Sequence, residues 1–277
     1  MTEPPAQYLR RRFRVPDDRL DSFTAELWED GPLGLELRAN GVDVYYRAGA
    51  APPWVGSEGD LELVEEEVLA DGDWLAGWRE AAAPFAVGAR FWVDPGEPRA
   101  ASAPAGRHLL RLPARRAFGT GGHASTRLAV EILEQTPIAG LEVLDLGAGS
   151  GILSFACRLL GARRVVGIER EVESVLVAGA NRRLNGIAVD LVGGTLDALA
   201  DASFDVIAAN LLSSHLLAQI APLAARLRPG GALVYSGALA VERRELLARF
   251  RALDLALRGE RVDGDWCAFR LRSERRS

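Results

Sequence analysis

The stretch Val143-Leu144-Asp145-Leu146-Gly147-Ala148-Gly149-Ser150-Gly151-Ile152-Leu153 decides how the chain is read. A short β-type run stops at three glycines on alternate positions, and an apolar pattern at helical spacing follows at once. This predicts a strand, a tight turn and a helix N-terminus. Glycine there lets the backbone take positive φ and come close to a ligand. The helix N-terminus adds unpaired N–H groups and a dipole that favours negative charge. The spacing is G-x-G-x-G, whereas the dinucleotide fingerprint is G-x-G-x-x-G, and here Ile152 stands at the sixth position. With Asp145 just ahead of the turn, the pattern suggests a cofactor without a pyrophosphate. S-adenosylmethionine fits, its amino-acid part lying over the turn. Taken alone, the glycines are also those of an ordinary βα connection.

The segments that follow extend this reading. Arg164-Val165-Val166-Gly167-Ile168-Glu169 is a second short strand ending in a carboxylate, 18 residues beyond Gly151. Doubly wound folds place a ribose-binding acid at about this distance. Glu169 is otherwise a surface acid at the head of a helix, since Glu171 and Glu173 follow. From Leu141 onward strands and helices alternate. Strands are predicted at 141–146, 164–168, 189–192, 204–209, 232–236, weakly at 255–257, and at 266–271, the last two forming a hairpin. Such alternation implies a mainly parallel sheet with helices on both faces, a Rossmann-like α/β methyltransferase fold of seven strands. Asn210 ends the fourth strand, where open α/β sheets bind ligands between the first and fourth strands. Its amide carbonyl can accept a hydrogen bond from an amine; the alternative is a cap on the next helix.

A third motif, Phe118-Gly119-Thr120-Gly121-Gly122-His123-Ala124-Ser125-Thr126-Arg127, precedes an apolar helical run. Glycines and hydroxyls ahead of a helix make a capped loop able to close over a ligand, with Ser125 or Thr126 as N-cap. Phe118 is a suitable cover for a purine or a sulfonium. His123, one of three histidines, is read as structural rather than as a general base. Trp74 and Trp78 share one helical face and suit packing.

At 277 residues the chain has room for one sizeable domain and a smaller one. A net charge of −5 argues against a general nucleic-acid binder. No apolar run is long enough to span a bilayer. The segment 1–14 lacks the apolar core of a secretory signal, so a cytoplasmic location is expected. Cys157 and Cys267 read as buried free thiols, and no metal site is expected. Near the N-terminus, 8–15 reads as a strand and Pro16 opens a helix carrying Leu20, Phe23, Leu27 and Trp28. Runs 33–38 and 42–47 make a hairpin. Arg10, Arg11, Arg12 and Arg14 suit a solvated edge strand as well as a binding role. Residues 50–59 read as a linker, 61–69 as a short acidic segment and 97–106 as a surface loop. The resulting division is a small recognition module over 1–56, a linker over 57–72 and a larger domain over 73–277.

On Phe118–His123 with Ser125-Thr126, Leu144–Gly151, Asn210-Leu211-Leu212 and the Asp73–Trp78 segment, the chain resembles the bacterial ribosomal protein L-eleven (L11) methyltransferase family. The likeness extends over nearly the whole chain. It implies a small ferredoxin-like domain, a flexible linker and a seven-strand methyltransferase domain. It implies S-adenosylmethionine-dependent trimethylation of lysine side chains and of the N-terminal α-amine of ribosomal protein L11, by a monomer without direct nucleic-acid or membrane contact. Phe118, Thr120, Gly121, Asp145, Gly147, Gly149 and Gly151 would meet the cofactor, Glu169 would hold the ribose, and Asn210 would lie at the transferring methyl. The chain departs from the family in having Glu169 for the usual Asp, Pro113-Ala114-Arg115 for Asp-Pro-Gly, and Ala124 for proline. A methyltransferase of this fold acting on another protein or a small molecule is the alternative.

Overall fold

The computed structural model describes residues 8–16, 19–32, 34–38, 40–47, 49–53, 62–69, 83–96, 102–113, 121–199 and 203–275. The chain forms two compact units, Met1–Ala76 and Gly77–Ser277. Trp74 and Trp78, Ala114 and Arg115, and the Phe118–Thr120 part of the loop motif lie outside the described residues.

The first unit contains β1 (Tyr8–Arg14), α1 (Leu20–Glu29), β2 (Gly34–Arg38), β3 (Gly41–Arg47) and β4 (Glu62–Leu69). Its sheet has the order β2-β3-β1-β4, and every pairing is antiparallel. Alternate residues of the strands, Phe13, Val42, Val44 and Tyr46, join Phe23 and Leu27 of α1 in one core, with Phe13 edge-on to Phe23 at 5.2 Å. Two expectations are corrected here. Glu62–Leu69 is the fourth strand of this sheet rather than a connecting segment, and β1 is an interior strand rather than an edge. Both have one cause: the arginines of β1 meet the glutamates of β4. Arg10 pairs with Glu65 and Glu67 at 2.9 and 2.7 Å, Arg11 with Glu66 at 2.6 Å and Arg12 with Glu65 at 2.9 Å. Cross-strand opposite charges stabilise a sheet that either strand alone would leave self-repelling.

On the other side of β1, the fully buried Asp43 receives two guanidinium forks, from Arg12 at 2.7 and 3.0 Å and from Arg38 at 3.1 and 2.9 Å. Burial opposes its charge, but the hydrogen bonds from Arg12 and then Arg38 outweigh it and hold the carboxyl below its ordinary range. The stabilisation is therefore present at neutral pH and is lost as acid takes the pH below the ordinary Asp range.

The second unit opens with a small sheet in the order β5-β6-β7, formed by β5 (Phe85–Val87), β6 (Phe91–Asp94) and β7 (His108–Arg111). It continues with α2 (Ala124–Glu134), β8 (Glu142–Leu146), α3 (Ile152–Leu159), β9 (Arg164–Glu169), α4 (Val172–Asn185), β10 (Asp190–Gly193), β11 (Phe204–Asn210), α5 (Ser213–Leu217), α6 (Ile220–Ala225), β12 (Leu227–Leu239), α7 (Arg243–Arg251), β13 (Leu255–Asp263) and β14 (Trp266–Ser273). The large sheet has the order β10-β9-β8-β11-β12-β14-β13. Pairings from β10 to β12 are parallel, and β14 runs antiparallel to both β12 and β13. All seven predicted strands are present, with β12 and β13 longer than their apolar cores suggested. No helix among the described residues is long and apolar enough to cross a membrane.

Replacing Asp43 with Asn is expected to destabilise the first unit by about 1–2 kcal/mol at pH 7, the lower end for a charged hydrogen-bonded group because both arginines are partly solvated. The variant should also lose less stability than the parent between pH 5 and 3. Urea unfolding of the full chain at several pH values measures both, and equal stability at pH 7 would contradict the fork geometry.

Candidate active site

The strand order reverses between β8 and β11. These strands pair with Val206 opposite Val143 and Ala209 opposite Leu146, so they end level. The next residues are Gly147 on one side and Asn210 on the other, which places the glycine turn and the amide at one switch point.

Gly147, Gly149 and Gly151 all have positive φ, 74°, 51° and 89°. Gly151 is the N-cap of α3 in the left-handed region, with no side chain to cap it. The positive φ is as the sequence suggested, and at two of these positions packing adds a second reason for glycine. A Cβ on Gly147 would lie 2.6 Å from Leu211 Cδ2, and one on Gly151 would lie 2.6 Å from the Phe155 ring. Glycine is required there by dihedral and by packing behind the turn.

Asp145 is completely buried beneath the turn. It accepts the Ser154 hydroxyl at 2.6 Å through Oδ2, and Oδ1 has no hydrogen-bond partner among the described residues. Burial pushes its carboxyl up to about 6, against the Ser154 hydrogen bonds and with a small contribution from Glu169. Opposite Asp145 in the sheet stands Gly167, where a Cβ would fall 2.7 Å from Ser154 Oγ, so the serine reaches the acid only because position 167 is bare. Glu169 ends β9 as predicted. It accepts the Gly149 N–H at 3.0 Å with Oε2 and the Glu171 N–H at 3.0 Å with Oε1. Its longer arm thus spans from the second strand to the glycine turn.

Asn181, on α4, donates to the Ser150 carbonyl at 2.9 Å, and its own buried Oδ1 has no partner among the described residues. One turn on, Asn185 accepts the Arg111 N–H at 2.7 Å and donates to the Arg111 carbonyl at 2.8 Å, pairing with β7 as a strand would. The helix after Glu169 therefore ties the glycine turn to the strand that leads toward the Phe118 segment.

At Asn210 the amide does not cap the following helix. Its Nδ2 donates to Thr126 Oγ1 at 3.1 Å, while α5 begins after Leu212 with no side-chain cap. The N-cap of α2 is likewise neither Ser125 nor Thr126. It is His123, whose Nδ1 accepts the Ser125 N–H at 3.2 Å and lies 2.8 Å from Ser125 Oγ. Burial, then the nearby Arg127, takes this imidazole down to about 4, so it is neutral at physiological pH and engaged as a cap. Ser125 and Thr126 sit fully buried in the first helical turn. Thr126 reaches Asn210, and the Ser125 carbonyl accepts the Ser236 hydroxyl at 2.7 Å. Gly121 has φ 99°, and a Cβ there would lie 3.1 Å from Val87 and 3.2 Å from Ile152, so the end of the loop motif packs against α3.

Sequence reading missed Thr126 as a partner of Asn210, Ser154 and Gly167 beneath the turn, and Gly237. The last has φ 93° at a bulge in β12, where a Cβ would be 2.4 Å from the Leu211 carbonyl oxygen. No group of three or more His, Cys, Asp or Glu able to hold a metal occurs among the described residues. The donor set fits a nucleoside sulfonium amino acid. Two buried acceptors without partners among the described residues, on Asp145 and Asn181, flank a turn rich in backbone N–H, with the Glu169 carboxylate 3.0 Å from the turn.

The profile of the family described as ribosomal protein L11 methyltransferase (PrmA) matches residues 54–274. A ribosomal protein L11 methyltransferase of Geobacter metallireducens is 35% identical over 266 residues, covering 96% of this chain and 82% of that protein. One from Deinococcus radiodurans is 34% identical over 260 residues, covering 90% and 93%. The crystal structure of ribosomal protein L11 methylase from Lactobacillus delbrueckii subsp. bulgaricus is similar with a TM-score of 0.64 at 28% identity, covering 69% of this chain and all of that one.

Because the Asp145 carboxyl titrates higher folded than unfolded, it favours the ligand-free fold at low pH. That contribution is full below about pH 4 and is lost as pH rises through about 6. Asp145→Asn should flatten this part of the stability profile while weakening S-adenosylmethionine binding at least tenfold. Melting curves from pH 4 to 7 and calorimetric titration check the two effects, and unchanged affinity would remove Asp145 from the cofactor site.

Proposed function

The chain belongs to the ribosomal protein L11 methyltransferase family, and we propose that the glycine turn, Glu169 and Asn210 are the parts that carry out its reaction, transfer of methyl groups from S-adenosylmethionine to amines of ribosomal protein L11. The acceptors on this reading are lysine side chains and the N-terminal α-amine, each methylated repeatedly in the cytoplasm. The first unit presents the acceptor protein. Its all-antiparallel order β2-β3-β1-β4, with α1 between the first two strands in sequence, supports a ferredoxin-like domain.

The observation that carries the assignment is the Asn210–Thr126 hydrogen bond beside the glycine turn. With Nδ2 committed to Thr126, the amide presents Oδ1, an acceptor for an amine N–H. Asp145 and Asn181 would hold the cofactor's α-ammonium, the N–H groups of the turn its carboxylate, and Glu169 its ribose. When bound, S-adenosylmethionine supplies a methyl group on an already activated sulfonium. The protein's task is then to position a neutral amine in line with that bond. His123 is a neutral cap and offers no base, so the amine must shed its proton before it attacks. Lysine at about 10.4 in water is brought toward the neutral form by desolvation at the site. Asn210 orients the lone pair and takes no proton.

The test is intact-mass spectrometry of purified ribosomal protein L11 after incubation with the chain and S-adenosylmethionine. All 33 of the chain's Lys and Arg residues are arginine, so every methyl-lysine formed belongs to the acceptor. Mass gains in steps of one methyl group are expected. They should fall at least 100-fold in rate in Asn210→Ala and about tenfold in Thr126→Val, with Thr126→Ser near the parent and cofactor affinity within a few-fold throughout. Full activity in Asn210→Ala would overturn the assignment.

A further inference from the structure

Leu211 follows the acceptor amide directly, and it is confined on two sides by glycines from different parts of the fold. Its side chain lies on Gly147 of the cofactor turn, where one added methyl group would come to 2.6 Å from Cδ2. Its peptide lies on Gly237, where an added Cβ would come to 2.4 Å from the carbonyl oxygen, 2.8 Å from the carbonyl carbon and 3.1 Å from the nitrogen. The same peptide donates to the Ser236 carbonyl at 3.1 Å. Gly237 is the residue at which β12 bulges against β14, and its φ of 93° is closed to most side chains. Leu211 is half-buried and packs against the core of the large sheet. It has backbone on one side and a left-handed glycine on the other.

We propose that Leu211 is a positioning residue for methyl transfer: held between Gly147 and Gly237, it sets the separation between the glycine turn and the Asn210 amide. The inference rests on the reading of Asn210 as the residue facing the acceptor amine. The bulge at Gly237 seats the Leu211 peptide, which fixes the end of β11. The δ-methyl groups bear on Gly147, which fixes how near the turn comes. Thr126 sets the rotation of the amide, and Leu211 sets its depth. Where catalysis is mainly alignment, a displacement of about 1 Å costs on the order of 100-fold in rate. The Gly237 contact is backbone against backbone and cannot give, whereas at Gly147 it is the Leu211 δ-methyl groups that would have to move.

Two experiments on the full chain test this separately. In the first, Leu211→Ala, Leu211→Met and Gly237→Ala are compared by kcat on ribosomal protein L11, by calorimetric Kd for S-adenosylmethionine and by Tm. Leu211→Ala should lose 10- to 100-fold in kcat with Kd within about threefold, Leu211→Met should recover to within about threefold of the parent, and Gly237→Ala should lose kcat as Leu211→Ala does. If kcat in Leu211→Ala stays within twofold, or falls only in step with Kd and Tm, the residue is simple core packing and the proposal fails. The second experiment needs no acceptor. Gly147→Ala should weaken cofactor binding at least tenfold, and adding Leu211→Ala should recover threefold or more of that loss, because the new Cβ then occupies the space of the missing methyl groups. No recovery would overturn the Leu211–Gly147 coupling. If the parent chain methylates nothing, the reaction assignment fails while this second arm still decides the coupling.

Discussion

Parallel pairing of β8 with β11 is the constraint on which the site depends. These strands come from distant parts of the sequence, and their helices leave on opposite sides of the sheet, as they must where strand order reverses. With Ala209 opposite Leu146, the two chains run out of sheet at the same level. One turns through glycines and the other leaves with an amide. A shift of the pairing by one residue would put Asp145 and Asn210 on opposite faces of the sheet. The apolar residues Leu144, Ile207 and Ala209, buried in the core of this sheet, resist that shift.

Beneath the switch point the protein keeps an uncompensated carboxylate dry. Among the described residues Asp145 has one hydroxyl partner and no cation, and the space for that hydroxyl exists because Gly167 has no side chain. Asn181 adds a second buried acceptor without a partner among the described residues. Each lowers the stability of the ligand-free fold, since a buried polar atom without a hydrogen bond costs about 1–3 kcal/mol. Such atoms persist where a ligand satisfies them. On the proposed function these are the acceptors that would receive the cofactor's ammonium.

Much of this was legible in the sequence because it lies in local patterns. The glycine spacing, the carboxylate ending β9 and the amide ending β11 are each read within about ten residues, and the alternation of strands and helices gives the large sheet. What was not legible is tertiary. Glu62–Leu69 reads as an acidic linker because the arginines that neutralise it lie more than forty residues earlier. The strands β5, β6 and β7 are only three or four residues long and carry too little periodicity to be seen. His123 displaced the expected serine or threonine cap because Ser125 and Thr126 turn inward to the sheet, which only the packed helix reveals. The glycines and their positive φ were legible, since alternate spacing locates the turn, yet that Leu211 and Phe155 pack against it is a property of the packed structure. Phe118 and Thr120 lie outside the described residues, so their expected cofactor contacts rest on the motif.

The two ends of the large sheet are held by different physics, and the difference follows from the chemistry. At the amino-terminal ends of β8 and β11, Arg228 bridges Glu142 and Asp205 at 2.7 Å each, and Arg163 joins Glu142 at 3.1 Å. The Arg228 guanidinium holds the Glu142 carboxyl below its ordinary range. These charges face water, their geometry can adjust, and each pair contributes little alone. At the carboxyl-terminal ends no comparable ion pair on the turn occurs among the described residues. Close contacts take its place: Leu211 on Gly147 and Gly237, Phe155 on Gly151, Ser154 on Gly167. A reaction whose methyl donor is already activated asks the protein for alignment more than for acid or base. Close packing of apolar groups on bare backbone holds a position more rigidly than screened charges do. The site accordingly contains few reactive side chains and many positions where one carbon atom more would not fit.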